Sequence, residues 1–483
     1  MAAAEAAARP ARSSASFPVS SPVSCPAIVV AAPASGQGKT TVAAALARLH
    51  VRQGRRVCVF KCGPDFLDPH WLQLASAAPV QQLDLWMTGE ADCQQRLFDA
   101  ASPDGQAADL IIVEGVMGLF DGKPSVGDLA QRFGIPVLAV VDASAMAGTF
   151  GAIAHGLRHY RPTLPWAGVL ANRVAGARHA DMLREGLSDA DDWLGAMPRV
   201  SLQTPGNAAP KGLLPERHLG LVAAHELADG LQRLDAAADA LASTPLGQMS
   251  LQDLQRWAVC FPAPAATAAL AKPLLAGRTI AVARDVAFCF IYAANLQTLE
   301  QLGARLVFFS PLADVCLPAC DAVWLTGGYP ELHTEQIGAN QGMAESLRAH
   351  LAQGRPVWAE CGGMMALFES ITLADGQQRA LWGLLPGRVT MQRRLAALGP
   401  QQLTLDGDVD GAVLRGHTFH YSTTSSSAAV VARTARPERP GLEAKADAGE
   451  AVYQQGALRA SYFHAWFASN PVATARLFGG DAA

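Results

Sequence analysis

Residues 33–41, Pro33-Ala34-Ser35-Gly36-Gln37-Gly38-Lys39-Thr40-Thr41, constrain this chain more than any other segment. They follow a short apolar run, residues 27–32, and lead into apolar residues at helical spacing over 41–50. That order reads as strand, glycine loop and helix, which sets the loop at a strand's carboxyl end beneath a helix N-terminus. Glycines let backbone N–H groups close on phosphate oxygens, and the helix dipole favours their negative charge. Gly36 and Gly38 are then expected to shape a nucleotide cradle with Thr41, Lys39 to reach the outer phosphates, and the Thr40 hydroxyl to hold Mg²⁺. Pro33 stands where the standard pattern has glycine, so the loop is a variant form. ATP and Mg²⁺ are the cofactors this half implies.

The same pattern recurs along the chain. Residues 56–60, 110–114, 136–141 and 167–172 are apolar runs, as in strands of a parallel sheet covered by helices on both faces. A chain of 483 residues exceeds one ordinary core, and a second such series at 279–283, 305–309, 322–326 and 356–360 supplies the other. The fold class expected is α/β with two doubly wound domains. The first spans 25–245 and the second 276–478; a Pro- and Ala-rich linker over 246–275 joins them, and a disordered tail covers 1–24. From about residue 380 the pattern turns β-like over 383–389, 411–419 and 458–463.

Composition narrows the partners. With 17% charged residues and a net charge of -4, the chain carries no basic footprint for nucleic acid or an anionic membrane. No apolar run reaches the roughly 18 residues of a membrane span. The tail lacks a secretory apolar core, and Glu5 speaks against a transit peptide. Nine cysteines, an odd and scattered set, suit a reducing cytoplasm; Cys58/Cys62 and Cys316/Cys320 lack the second pair a zinc site needs. Small-molecule partners are expected, while homodimer formation stays open.

Three further segments of the first half carry chemistry. Asp65 and Asp68 lie three apart in a Pro-pinned loop after the second strand, placed to hold Mg²⁺, orient an acceptor or simply turn the chain. Glu114 ends the third strand, where a second metal-organising carboxylate belongs, and glycines up to Asp121-Gly122 leave room for a ligand. Asn172 ends a later strand and suits either an adenine contact or a cap.

The second half offers a nucleophile. Cys361-Gly362-Gly363 follows an apolar strand and opens a helix, where small neighbours permit a sharp turn and the helix N-terminus favours a thiolate. Gly327-Gly328 ends another strand and offers N–H groups for an oxyanion hole. His464 ends a third strand and supplies the general base. The set is similar to class I, triad-type glutamine amidotransferases, many of which have an orienting glutamate two residues after the histidine; here that position is Trp466. Arg415 and His417 suit carboxylate pairing or a solvated loop.

The phosphate loop resembles that of the dethiobiotin synthetase-like branch. Together with residues 61–69, 114–122 and 214–221, it makes the chain resemble the cobyrinate/hydrogenobyrinate a,c-diamide synthases over about 25–478. The resemblance implies ATP- and glutamine-dependent amidation of corrin-ring acetates in cobalamin biosynthesis, with Asp65, Phe66, Leu67, Asp68 and Asp121 binding the ring substrate. Cobyric acid synthase and a nickel-sirohydrochlorin a,c-diamide synthase share the scaffold. A nucleotide-switched binding protein shares the phosphate loop, but has no use for Cys361 and His464.

Overall fold

A computed structural model of the chain describes residues 21–102, 107–199, 214–217, 220–222, 224–264, 273–405, 412–437 and 449–480. The expected tail lies almost wholly outside the described residues, as do residues 218 and 219 of the 214–221 motif.

Seven parallel strands build the first sheet. Across it they run Gln81–Leu83, Val57–Cys62, Leu110–Glu114, Val23–Ala31, Val137–Asp142, Trp166–Val174 and Trp193–Pro198. The first strand in sequence is thus central, and the connections leave it in both directions. Its carboxyl end is the switch point where such sheets bind ligands. Alternation along this strand serves two cores: Ile28 and Val30 pack with helices Lys39–Arg52 and Gly230–Ala242, whereas Val29 and Ala31 pack with Glu90–Ala101, Val126–Phe133 and Thr149–His159. Burial on both faces explains why these strands read as uninterrupted apolar runs.

The linker expectation needs correction. Ser250 caps the short helix Leu251–Leu254 through a capping box, and Ala258–Phe261 pairs antiparallel with residues 23–26 of the central strand. The first domain therefore runs to Phe261, because a strand too short to register as periodic finds its partner over 230 positions earlier.

The second sheet runs Arg305–Phe309, Thr279–Ala283, Ala322–Leu325, Val357–Glu360, Leu458–Ser461, Ala451–Gln455 and Ala429–Arg433, parallel through Leu458–Ser461 and antiparallel beyond it. It too has a core on each face. The turn-rich region contributes two small sheets, one of which pairs Val413–His420 with His464–Trp466 and sets His417 opposite His464. A fifth apolar cluster joins the halves: Phe66, Leu67 and Met87 of the first pack with Phe290, Tyr292 and Trp466 of the second.

Candidate active site

In the first half, the phosphate loop turns through Gly36 and Gly38, both at positive φ (78° and 94°), before helix Lys39–Arg52 starts. A side chain on Gly38 would lie 2.1 Å from Asn172 Nδ2, so glycine is required there for space as well as for backbone conformation. Asn172 Nδ2 donates to Gln37 O at 2.8 Å, and Asp142 N donates to Gln37 Oε1 at 2.8 Å, pinning the loop to two neighbouring strands. Asn172 is thus a strut of the loop, a use its sequence position did not reveal. Lys39 Nζ donates to Met117 O at 2.7 Å and Ala34 O at 3.1 Å.

Beneath the loop lies a buried charge network. Thr40 Oγ1 donates to Glu114 Oε1 at 2.5 Å, and Lys61 Nζ lies 3.3 Å from the same oxygen and 2.5 Å from Asp68 Oδ2. Glu114 Oε2 is buried with no hydrogen-bond partner among the described residues, which is where a cation's water shell would satisfy it. Burial raises the Glu114 carboxyl to about 7, against the pull of Lys61. Lys61 is itself driven upward: burial opposes its charge, but Asp68 and Glu114 outweigh that cost. Asp65 is raised to about 6 by burial and then by Asp68; its Oδ1 accepts from Leu67 N at 2.8 Å and so braces the loop. Asp121 is exposed, and its Oδ2 accepts from Gly118 N at 2.8 Å. Among the described residues, no group of three or more His, Cys, Asp or Glu is placed to hold a metal ion.

In the second half, Cys361 occupies φ 44° and ψ -107°, a strained elbow between strand Val357–Glu360 and helix Gly362–Met365. Close packing enforces the glycines around it. A side chain on Gly362 would sit 2.8 Å from Gly328 N, and one on Gly327 would sit 2.4 Å from His464 Cε1. Gly327, Gly328, Cys361 and His464 therefore converge at the carboxyl ends of three strands. A pocket beside Cys361 is lined by Gly328, Tyr329, Glu331, Met365, His420 and Tyr421. Burial pushes the Cys361 thiol up and, with His417 and His420, pushes His464 well below the usual imidazole range. Burial thus favours the thiol and the neutral imidazole.

Two family profiles cover the two halves: a CobQ/CobB/MinD/ParA nucleotide binding domain matches residues 28–204, and a CobB/CobQ-like glutamine amidotransferase domain matches residues 279–472. The chain is 54% identical to a hydrogenobyrinate a,c-diamide synthase of Stutzerimonas stutzeri, over 94% of this chain and 98% of that one. It is 52% identical to the protein of the same name from Pseudomonas aeruginosa, over 94% and 97%, and 47% identical to a cobyrinate a,c-diamide synthase of Herminiimonas arsenicoxydans, over 94% and 97%. The chain belongs to the cobyrinate/hydrogenobyrinate a,c-diamide synthase family.

In this family member the loop expected to meet the acceptor also meets the other domain. Phe66 and Leu67, expected at the ring substrate, are buried in the interface between the halves. Phe66 stacks on Phe290 and Tyr292 at ring-centroid distances of 4.9 and 4.3 Å and lies 4.9 Å from the His464 ring. Tyr292 Oη donates to Pro64 O at 2.8 Å. An aromatic at a loop tip gains more from such a cover than from water, by about 1.5–3 kcal/mol for full burial. His417 is likewise buried, 5.1 Å from His464 and 3.1 Å from Tyr292 Oη, and Arg415 donates to Trp86 O across the interface at 3.0 Å. Both thus serve the joint between the domains, where carboxylate pairing was one expectation. Sequence reasoning missed Lys61, Gln37, Tyr292 and Phe290 as site residues: the last three meet partners over 100 positions away, and Lys61 joins Asp68, seven residues on, to Glu114 on another strand.

Proposed function

We propose that this chain amidates the a and c acetate carboxylates of hydrogenobyrinic or cobyrinic acid in cobalamin biosynthesis, consuming ATP and glutamine in the cytoplasm. What carries the proposal is identity of 54% over nearly the whole length to a hydrogenobyrinate a,c-diamide synthase. The Cys361/His464 elbow and the Lys39/Thr40 loop supply the two chemistries such a reaction needs.

At the second site the Cys361 thiol gives its proton to His464 and the sulfur attacks the side-chain amide carbon of glutamine. The oxyanion that forms faces the N–H groups of Gly327 and Gly328. His464 returns the proton to the departing nitrogen as ammonia leaves, and water then cleaves the glutamyl thioester. At the first site the ring carboxylate attacks the γ-phosphorus of ATP, the bridging bond to the β-phosphate breaks and ADP leaves; ammonia then adds to the acyl phosphate, loses a proton and expels phosphate to give the amide. Lys39 balances charge on the phosphates, while Gly36, Gly38 and Thr41 hold them through the loop. Thr40 and Glu114, with Asp65 nearby, would hold Mg²⁺, which neutralises phosphate charge when bound. Asp68 and Asp121 border the acceptor side. The further range of partners proposed is these small molecules alone, with no nucleic acid; among the described residues no helix is long and apolar enough to cross a membrane.

The test offers purified protein ATP, glutamine and, in separate reactions, hydrogenobyrinic acid, cobyrinic acid or nickel-sirohydrochlorin, with products read by mass spectrometry. A doubly amidated corrin-ring acid is expected. Amidation confined to nickel-sirohydrochlorin, or no amide at all with ATP binding intact, would contradict the proposal.

A further inference from the structure

The glutaminase half has a histidine but lacks an acid at the usual place, since Trp466 stands two residues after His464 and is itself buried. The structure supplies a carboxylate from elsewhere. Glu360 ends the strand that delivers Cys361, and that strand pairs in register with Leu458–Ser461, Glu360 opposite Ser461. Three residues beyond Ser461 the chain reaches His464. Pairing thus brings Glu360 to the histidine although the two are over 100 positions apart.

We propose that Glu360 is the residue that positions His464, replacing the acid missing at Trp466. Its two oxygens have different duties. Oε1 accepts from Trp358 Nε1 at 2.8 Å and from Ala465 N at 3.3 Å, which fixes the carboxyl group in place. Oε2 lies 3.8 Å from His464 Nδ1, and Nδ1 is buried without a hydrogen-bond partner among the described residues. An unpaired ring nitrogen facing an oxygen just beyond hydrogen-bond reach is the looser arrangement expected before substrate binds. Glu360, Cys361 and His464 are 2%, 4% and 1% exposed, so the three groups sit away from bulk solvent. A carboxyl group on an otherwise apolar strand face is costly unless it has a use. Phe66 and His417 flank the imidazole and restrict its tilt.

The inference rests on the glutaminase reading of this site. With Nδ1–H donated to the Glu360 carboxylate, the lone pair of Nε2 is free to take the Cys361 proton, and the carboxylate stabilises the imidazolium that results. Once ionised, Glu360 keeps its charge through this transfer and takes no proton from the imidazole. The other titratable groups around the pair are His417, His420, Tyr292 and Cys361, with Glu331 and Glu450 on the thiol's side. Burial holds the Glu360 carboxyl at about 8, so it ionises as pH rises through that value.

The test compares wild type with Glu360→Gln, Glu360→Asp, His464→Ala and the double variant Glu360→Gln/His464→Ala, in full-length protein. Glutamine retains an acceptor for the Trp358 and Ala465 N–H groups, and ammonia-driven amidation reports an intact fold. Glu360→Gln is expected to lower glutamine-driven kcat by roughly 100-fold or more with little change in KM, a loss typical of removing an orienting acid. The rise of kcat/KM through about pH 8 should vanish in Glu360→Gln. Glu360→Asp should recover part of the rate, and the double variant should be no slower than His464→Ala. Glutamine-driven turnover within threefold of wild type, an unchanged pH profile, or equal loss of the ammonia-driven rate would each overturn the proposal. If Cys361→Ala keeps glutamine use, the glutaminase reading itself fails, and this inference with it.

Discussion

The two halves handle charge differently: around the phosphate loop the Lys61 cation opposes the push of burial on Glu114 and Asp65, whereas at the elbow burial leads. Around the phosphate loop, Lys61, Asp68, Glu114 and Thr40 already contact one another, so charge is assembled before any ligand arrives. Around the elbow, Cys361, His464 and Glu360 are each pushed by burial toward the neutral form. A site that receives a polyanion and its cation can store ionised partners. A site that creates a thiolate and an imidazolium only during reaction can rest neutral, because burial disfavours both charges until substrate is present.

The sharpest way to break this contrast is a pair of substitutions, one in each half. Cys361→Ala should cut glutamine-driven amidation by about 10⁴-fold or more while ammonia still supports it, as expected when a nucleophile is removed outright. Lys39→Ala should instead lower amidation from either nitrogen source by roughly 10²–10³-fold, the usual effect of losing one transition-state charge contact, with glutamine hydrolysis largely kept. Rates measured with glutamine and with ammonium chloride separate the two patterns. If both variants lose both activities equally, the halves are not chemically distinct.

Phe66 tests the joint between them. Phe66→Ala empties the cluster of Phe290, Tyr292 and Trp466 and should cost about 3 kcal/mol, read from the denaturant midpoint. The same variant should hydrolyse more glutamine per amide formed, since the ring that leans on His464 comes from a loop of the other half. An unchanged ratio would mean that the contact only stabilises the fold.

The smallest effect concerns pH. Because Glu114 is raised to about 7, it is largely protonated at pH 6 and ionised at pH 8. A carboxyl group must ionise to hold a metal, so Mg·ATP affinity should rise roughly tenfold across that range. Titration calorimetry at both values checks it, and Glu114→Gln should bind weakly with no such rise.

Legibility in the sequence followed chain locality. The phosphate loop and the Cys361 elbow are contiguous strings between a strand and a helix, so their geometry could be read directly. The strands at 110–114 and 136–141 were plain because both faces are buried. Gln81–Leu83 and Ala429–Arg433 were not, since edge strands are short or exposed and carry no such run. Glu360 was visible as the residue before Cys361, yet its relation to His464 exists only through strand pairing. Phe66 stood out in its motif, but the rings that cover it come from a segment over 220 positions later.

The measurement that tests the account most directly follows nitrogen through both halves. Wild-type protein is given ATP, hydrogenobyrinic or cobyrinic acid, glutamine labelled with ¹⁵N at the side-chain amide, and unlabelled ammonium at equal concentration. A diamide carrying ¹⁵N at both new amides is predicted, with the label lost in Cys361→Ala. A wild-type product built mainly from unlabelled nitrogen would contradict the claim that the elbow at Cys361 feeds the phosphate-loop site.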